Sequence, residues 1–279
     1  MAKIGKTSDG KRVLNCISSR DIEKDWHIGH AIAAGHVKDE ARAQIPESKD
    51  LREQWWSIWD QKNTGSCVGQ ASAAILTWQF VKVKRLAQNS KLSVRHIWMS
   101  AKEMDEYNYY PSTFLEIEGT SLKAALDIAR KYGAVEDTVL PFEPEKLYDG
   151  EPETYYASAA RYKILSYFNL RKDFGTKTET WNTVLTDWRT WIANKGPILT
   201  RLDVDDTWEN ANATRGNLDT YHKPPGPAGN AVAIVGYTKD RFIVRNSWGT
   251  GWGDKGFAYA SLDYAKGAFS EAYGITLIP

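Results

Sequence analysis

Gln61-Lys62-Asn63-Thr64-Gly65-Ser66-Cys67-Val68-Gly69-Gln70 is the stretch from which the rest of this chain is read. From Val68 the apolar residues Val68, Ala71, Ile75, Trp78 and Val81 recur at the spacing of one helix face, and Gly65-Ser66 supply a turn and a cap just ahead of them. Cys67 therefore falls in the first turn of a predicted helix. Unpaired backbone N–H groups and the positive end of the helix dipole favour a thiolate there, the nucleophilic form of cysteine. Six residues upstream, Gln61 can fold its carboxamide back so that it and the Cys67 N–H form a pair of oxyanion donors. The same residues also suit a plain buried cysteine in a core helix.

Arg241-Phe242-Ile243-Val244-Arg245-Asn246-Ser247-Trp248-Gly249-Thr250-Gly251-Trp252-Gly253 reads locally as a strand followed by a glycine-rich turn, with no activity implied. Taken together, the two stretches resemble the nucleophile region and the Asn-Ser-Trp-Gly block of papain-like (C1 family) cysteine peptidases. Thr64 stands where that family often has a disulfide cysteine, and Val68 where it usually has an aromatic residue; both departures concern packing more than chemistry. The resemblance implies that Asn246 orients a catalytic imidazole and that Trp248 shields their hydrogen bond. It also implies that Gly119, in Glu118-Gly119-Thr120-Ser121-Leu122, pairs its backbone with an extended substrate; a simple turn ahead of a helix is the alternative for that loop.

The imidazole itself is missing. Where the family reads Gly-His-Ala-Val, this chain reads Gly229-Asn230-Ala231-Val232. A carboxamide has no titratable nitrogen, so Asn230 can neither take the thiol proton nor protonate a leaving amine. His222 is the nearest histidine, but the turn Pro224-Pro225-Gly226-Pro227 separates it from position 230, and the other four precede Leu115. Without an imidazolium, Cys67 keeps only the help of its helix terminus, and its pKa is expected near the free value of about 8.5. Loss of one member of such a unit costs on the order of 10⁶ in turnover. Two explanations stay open: a histidine-bearing natural protein inactivated by one substitution, or a naturally inactive relative kept for binding or assembly.

The chain has 279 residues, room for one large domain or two packed lobes. A formal net charge of +1 with no run of like charges leaves no footprint for nucleic acid or a membrane surface. The twelve tryptophans are read mainly as core and interlobe packing. Cys16 and Cys67 are the only cysteines, and a nucleophilic Cys67 excludes a standing disulfide between them. No apolar run follows the basic start Met1 to Lys6, so cytoplasmic synthesis is the expectation, with release by lysis or a dedicated secretion system also open.

Residues 1–46 read as an N-terminal extension resembling a short pro-segment, and 47–279 as the peptidase domain. His27, His30 and His36 lack the carboxylate or cysteine neighbours of a metal site, so neither metal nor cofactor is expected. Helices are predicted from Cys67, from Val94 to Met104 behind a Ser93 cap, from Leu122 to a stop at Gly133, and from Trp181 to Gly196. Strands are predicted at 161–169, 198–204, 231–236 and 242–245, beyond an irregular, proline-marked crossing at 139–154. Helices first and strands later give an α+β chain. The resemblance makes this a two-lobed fold, the lobes meeting near 139–156, with a helical lobe carrying Cys67 and a β-rich lobe carrying positions 230 and 246. The chemistry implied is peptide-bond hydrolysis or acyl transfer on a peptide or protein, with a non-catalytic peptide- or protein-binding module as the rival.

Overall fold

The computed structural model describes residues 5–38, 45–105, 119–143, 150–171 and 180–278. The chain begins with a short hairpin, β1 (Gly5–Lys6) against β2 (Val13–Leu14), followed by helix α1 (Ile28–Ala33). Two of the three N-terminal histidines serve as a cap: His27 Nδ1 accepts the Gly29 N–H at 3.2 Å, and the His27 N–H donates to His30 Nδ1 at 3.1 Å. Val13, Leu14, Cys16, Ile28, Ala31 and Val37 are all buried, so this part of the chain is packed into the rest.

After β3 (Lys49–Asp50) come the helices α2 (Cys67–Lys82), α3 (Val94–Met104), α4 (Leu122–Lys131) and α5 (Pro152–Ala159). Every residue of α2 from Cys67 to Val81 is buried. Its burial on all sides, the polar Gln70, Ser72, Thr77 and Gln79 included, follows from its central place, with α3, α4 and strand residues 229–237 packed around it. Gly69 lets α3 approach closely, since a Cβ there would sit 2.8 Å from the Val94 carbonyl oxygen. Ser93 and Ser121 cap α3 and α4 by accepting the N–H groups of His96 and Ala124 at 3.0 and 3.2 Å. Gly133, at φ +94°, ends α4. Ser66 stands at the cap position of α2, but its hydroxyl lies 2.7 Å from that of Thr64 and makes no side-chain cap, contrary to expectation.

The second half comprises β4 (Ile164–Asn169), α6 (Trp181–Asn194), β5 (Ile198–Asp203), α7 (Asp206–Glu209), β6 (Asn217–Leu218), β7 (Gly229–Tyr237), β8 (Arg241–Arg245), β9 (Phe257–Ser261), α8 (Leu262–Ala268) and β10 (Phe269–Leu277). Seven strands line up in the order β4-β10-β5-β7-β8-β9-β6, and β3 pairs with β7. The pairings are antiparallel except for β6 with β9. Both α2 and α6 pack against β7, and for that reason all nine of its residues are buried, Asn230 included. The predicted crossing is cut short. Pro152 opens α5, where a proline's missing N–H has no partner to lose, while residues 144–149 lie outside those described.

Candidate active site

Cys67 is the first residue of α2 and is fully buried. Its sulfur accepts the N–H of Val68, from its own helix terminus, and the N–H of Ala231, from the opposing strand β7. The Cys67 sulfur therefore lies against the backbone of β7 at Ala231, the residue after position 230. The Cys16 thiol lies within hydrogen-bonding reach of the same sulfur, and its hydrogen bond, reinforced by the two N–H groups against the effect of burial, holds Cys67 below the usual thiol range. Cys16 moves the other way, raised by its own burial and then by Cys67. Cys67 thus has more support than a bare helix terminus supplies. The Cys16 thiol also points at the carbonyl of its neighbour Ile17, 3.8 Å away.

Gln61 is buried, with its carboxamide fixed at both ends: Nε2 donates to the Thr64 carbonyl at 3.1 Å and Oε1 accepts the Ser247 hydroxyl at 2.7 Å. Its own N–H donates to the Ser247 carbonyl at 2.8 Å. These bonds join the loop ahead of Cys67 to the 246–249 turn. Asn246 follows β8, and its Oδ1 accepts the Ser247 N–H at 2.8 Å and the Asn230 Nδ2 at 3.5 Å. Asn230 Oδ1 and Asn246 Nδ2, both buried, have no partner among the described residues. Two facing carboxamides here leave a donor and an acceptor unpaired, a cost of about 1–3 kcal/mol each. Trp248 packs edge-on against Trp208 and Trp252, with ring centroids 6.2 and 5.8 Å away, and Arg12 lies over its face.

The backbone beside Gly119 is occupied by the chain's own N-terminal segment. Ile17 donates its N–H to the Thr120 carbonyl at 3.3 Å, and Cys16 donates to the Gly229 carbonyl at 2.9 Å. A Cβ at Gly119 would collide with the Asn15 carbonyl, and one at Gly229 with that of Cys16. An extended strand of this chain thus lies between the Gly119 loop and the start of β7, with Cys16 over Cys67. Arg201, on β5, fastens it: Nε donates to the Cys16 carbonyl at 3.0 Å, while the other nitrogens reach Ser270 and Asp203.

The model for papain family cysteine proteases matches residues 45–273. The chain belongs to that family. This papain-family chain is 26% identical over 204 residues to an uncharacterized peptidase C1-like protein of Acanthamoeba polyphaga mimivirus, a match covering 71% of the chain and 62% of the relative. It is 25% identical over 252 residues to mouse cathepsin J, covering 85% of the chain and 66% of the relative. It therefore spans just under two thirds of either relative's length. In structure it is similar to xylellain, a cysteine protease from Xylella fastidiosa, with a TM-score of 0.76, 18% identity and coverage of 100% and 99% of the two chains. The fold is papain-like.

His222 does not join the site. Its exposed ring is 2.8 Å from the Asp206 carboxylate, which raises its pKa, and the His222 backbone N–H donates to Asp205. With Asp205 and Asp206 it is the one cluster among the described residues spaced for a cation, yet Asp205 already accepts the Trp208 N–H and the Tyr264 hydroxyl. His96 is buried on α3, where Nδ1 accepts the Val135 N–H at 3.1 Å. Sequence reasoning missed Cys16 and Arg201 as neighbours of the nucleophile. A buried arginine in the middle of the β5 run was the local sign of the latter.

Proposed function

We propose that this papain-family chain carries the nucleophile, oxyanion donors and orienting asparagine of a peptidase but lacks its general base, so that it hydrolyses peptide bonds little or not at all as written. In this reading Cys67 attacks the carbonyl carbon, and the Cys67 N–H with the free Gln61 amide hydrogen receives the oxyanion. Asn246 would orient a base at position 230, and the Gly119 loop would pair with substrate while Trp248 covers the Asn246 side. The observation that carries this is the burial of Asn230 beside Ala231, whose N–H reaches Cys67, with its carboxamide turned to Asn246. In this reading position 230 would serve proton transfer, and the carboxamide standing there has no basic atom.

Asn230→His tests it. The ring nitrogen restores a base and an imidazolium, and general base catalysis is worth about 10²–10⁴-fold. Carboxymethylation of Cys67 near pH 6 and cleavage of a peptide library should rise together, and Cys67→Ala should abolish both. Because the N-terminal segment covers the site, the assay is repeated with Leu14→Asp, which uproots that segment. Activity with Asn230 intact overturns the missing-base reading. If Asn230→His folds and shows neither gain, with or without Leu14→Asp, the rival is favoured: a non-catalytic module that binds a peptide or protein in the cleft. That reading draws on the extended segment already paired with Gly229 and Thr120.

A further inference from the structure

We infer that Cys16 and Cys67 form a disulfide under oxidising conditions, making the N-terminal segment a covalent, reducible closure of the cleft. The chain's only two cysteines, far apart in sequence, are both buried in one contiguous core: the Cys16 N–H bonds to the Gly229 carbonyl at 2.9 Å, at the start of the strand β7 that packs on α2, and there its thiol lies within hydrogen-bonding reach of Cys67. The Cys16 backbone is fixed on both sides, by its N–H to Gly229 and by Arg201 at its carbonyl, while Cys67 is fixed by the first turn of a fully buried helix. Two thiols held this way are at high effective concentration. The bond needs only the Cys67 thiol, whatever becomes of its peptidase role.

With hydrogen peroxide as oxidant the chemistry balances. The Cys67 thiolate attacks one peroxide oxygen, the S–O bond forms as the O–O bond breaks, and hydroxide leaves, giving a sulfenic acid at Cys67. Cys16 sulfur then attacks Cys67 sulfur; the S–S bond forms, the S–O bond breaks, and the departing hydroxide takes the Cys16 proton as water. Two thiols are oxidised and one peroxide becomes two waters. Peroxide reaches the pair through transient local opening of the segment, and Cys16 meets the sulfenic acid as the segment closes back onto its Gly229 and Arg201 contacts. Because closure returns Cys16 to contact, it intercepts the sulfenic acid before a second peroxide carries Cys67 to the irreversible sulfinic acid.

The full-length chain is treated with peroxide at neutral pH, quenched with N-ethylmaleimide, unfolded, digested with trypsin and examined by mass spectrometry without reduction. The expected product links the peptide Val13–Arg20 to Asn63–Lys82, lighter by two hydrogens than the sum of the two, and dithiothreitol returns both thiols in full. In Cys16→Ser the same treatment should yield Cys67 sulfinic acid that dithiothreitol does not recover. Wild-type chain that accumulates Cys67 sulfinic acid while Cys16 stays alkylatable overturns the proposal, as does a disulfide-linked dimer on a non-reducing gel. Neither readout uses turnover, so failure of the bond and failure of the peptidase reading are distinguishable.

Discussion

At the scale of single residues, what matters is which atoms each buried polar side chain is left with. Asn230 meets Asn246 carboxamide to carboxamide, which joins one atom of each and leaves Asn230 Oδ1 and Asn246 Nδ2 without a partner among the described residues. His96 shows the opposite economy: burial lowers its pKa to about 4 and keeps it neutral, so Nδ1 can accept the Val135 N–H. Protonation is easier in the unfolded chain, at about 6.5, than in the folded one, so this contribution is complete above that pH and drains away as pH falls toward 4. Between pH 7 and pH 5 His96 alone should remove about 2 kcal/mol from the unfolding free energy. Urea titrations of wild type and His96→Asn, whose Oδ1 can replace Nδ1 as acceptor, check this: the variant should lose that much less over the same interval. Equal losses in both would rule the histidine out as the cause.

At the scale of elements, the cleft is held shut by close backbone approach more than by side chains. The passage of Asn15 to Ile17 along the Gly119 loop depends on there being no side chain at Gly119. Gly119→Ala should push Asn15 away and break the Ile17 to Thr120 hydrogen bond, worth about 1 kcal/mol with its neighbours adding a similar amount. Opening then becomes about 5–30-fold more populated, and alkylation of native Cys67 by iodoacetamide should accelerate by the same factor. An unchanged alkylation rate would mean that the segment does not guard the thiol. Arg245 does comparable work on the other wall. It is buried beneath Trp56 and Trp59 and donates to the carbonyls of Trp56 and Ser57, tying the strand that delivers Asn246 to the chain leading into Gln61.

For the whole molecule, the question is whether the N-terminal segment is an accessory or part of the core. Leu14, Cys16, Ile28, Ala31 and Val37 belong to the same contiguous apolar core as α2 and the sheet. The Tyr237 hydroxyl, at the far end of β7, donates to the Pro46 carbonyl at 3.0 Å. Ile28→Ala should therefore lower global stability by about 2–4 kcal/mol, as a buried isoleucine does elsewhere. Denaturation followed by tryptophan fluorescence and by far-ultraviolet circular dichroism should still give one coincident transition. An early, separate step lost in the variant would show that the segment folds apart from the rest. Among the described residues no helix is long and apolar enough to cross a membrane.

The sequence by itself determined the local facts. The helix from Cys67, the cap of α3, the stop at Gly133, the strand into Asn246 and the asparagine at position 230 all follow from periodicity, turn chemistry or motif, which neighbouring residues carry among themselves. It left α1, α5, α7, α8, the short strands and the strands β9 and β10 unread; β9 and β10 are made regular by pairing to the sheet and not by a strong period of their own. Only the tertiary structure decided that Cys16 lies beside Cys67 and that Arg201 clamps the segment bearing it. Those contacts join residues far apart along the chain. Their energy is gained only once the long loop between them is closed, so no local pattern records them.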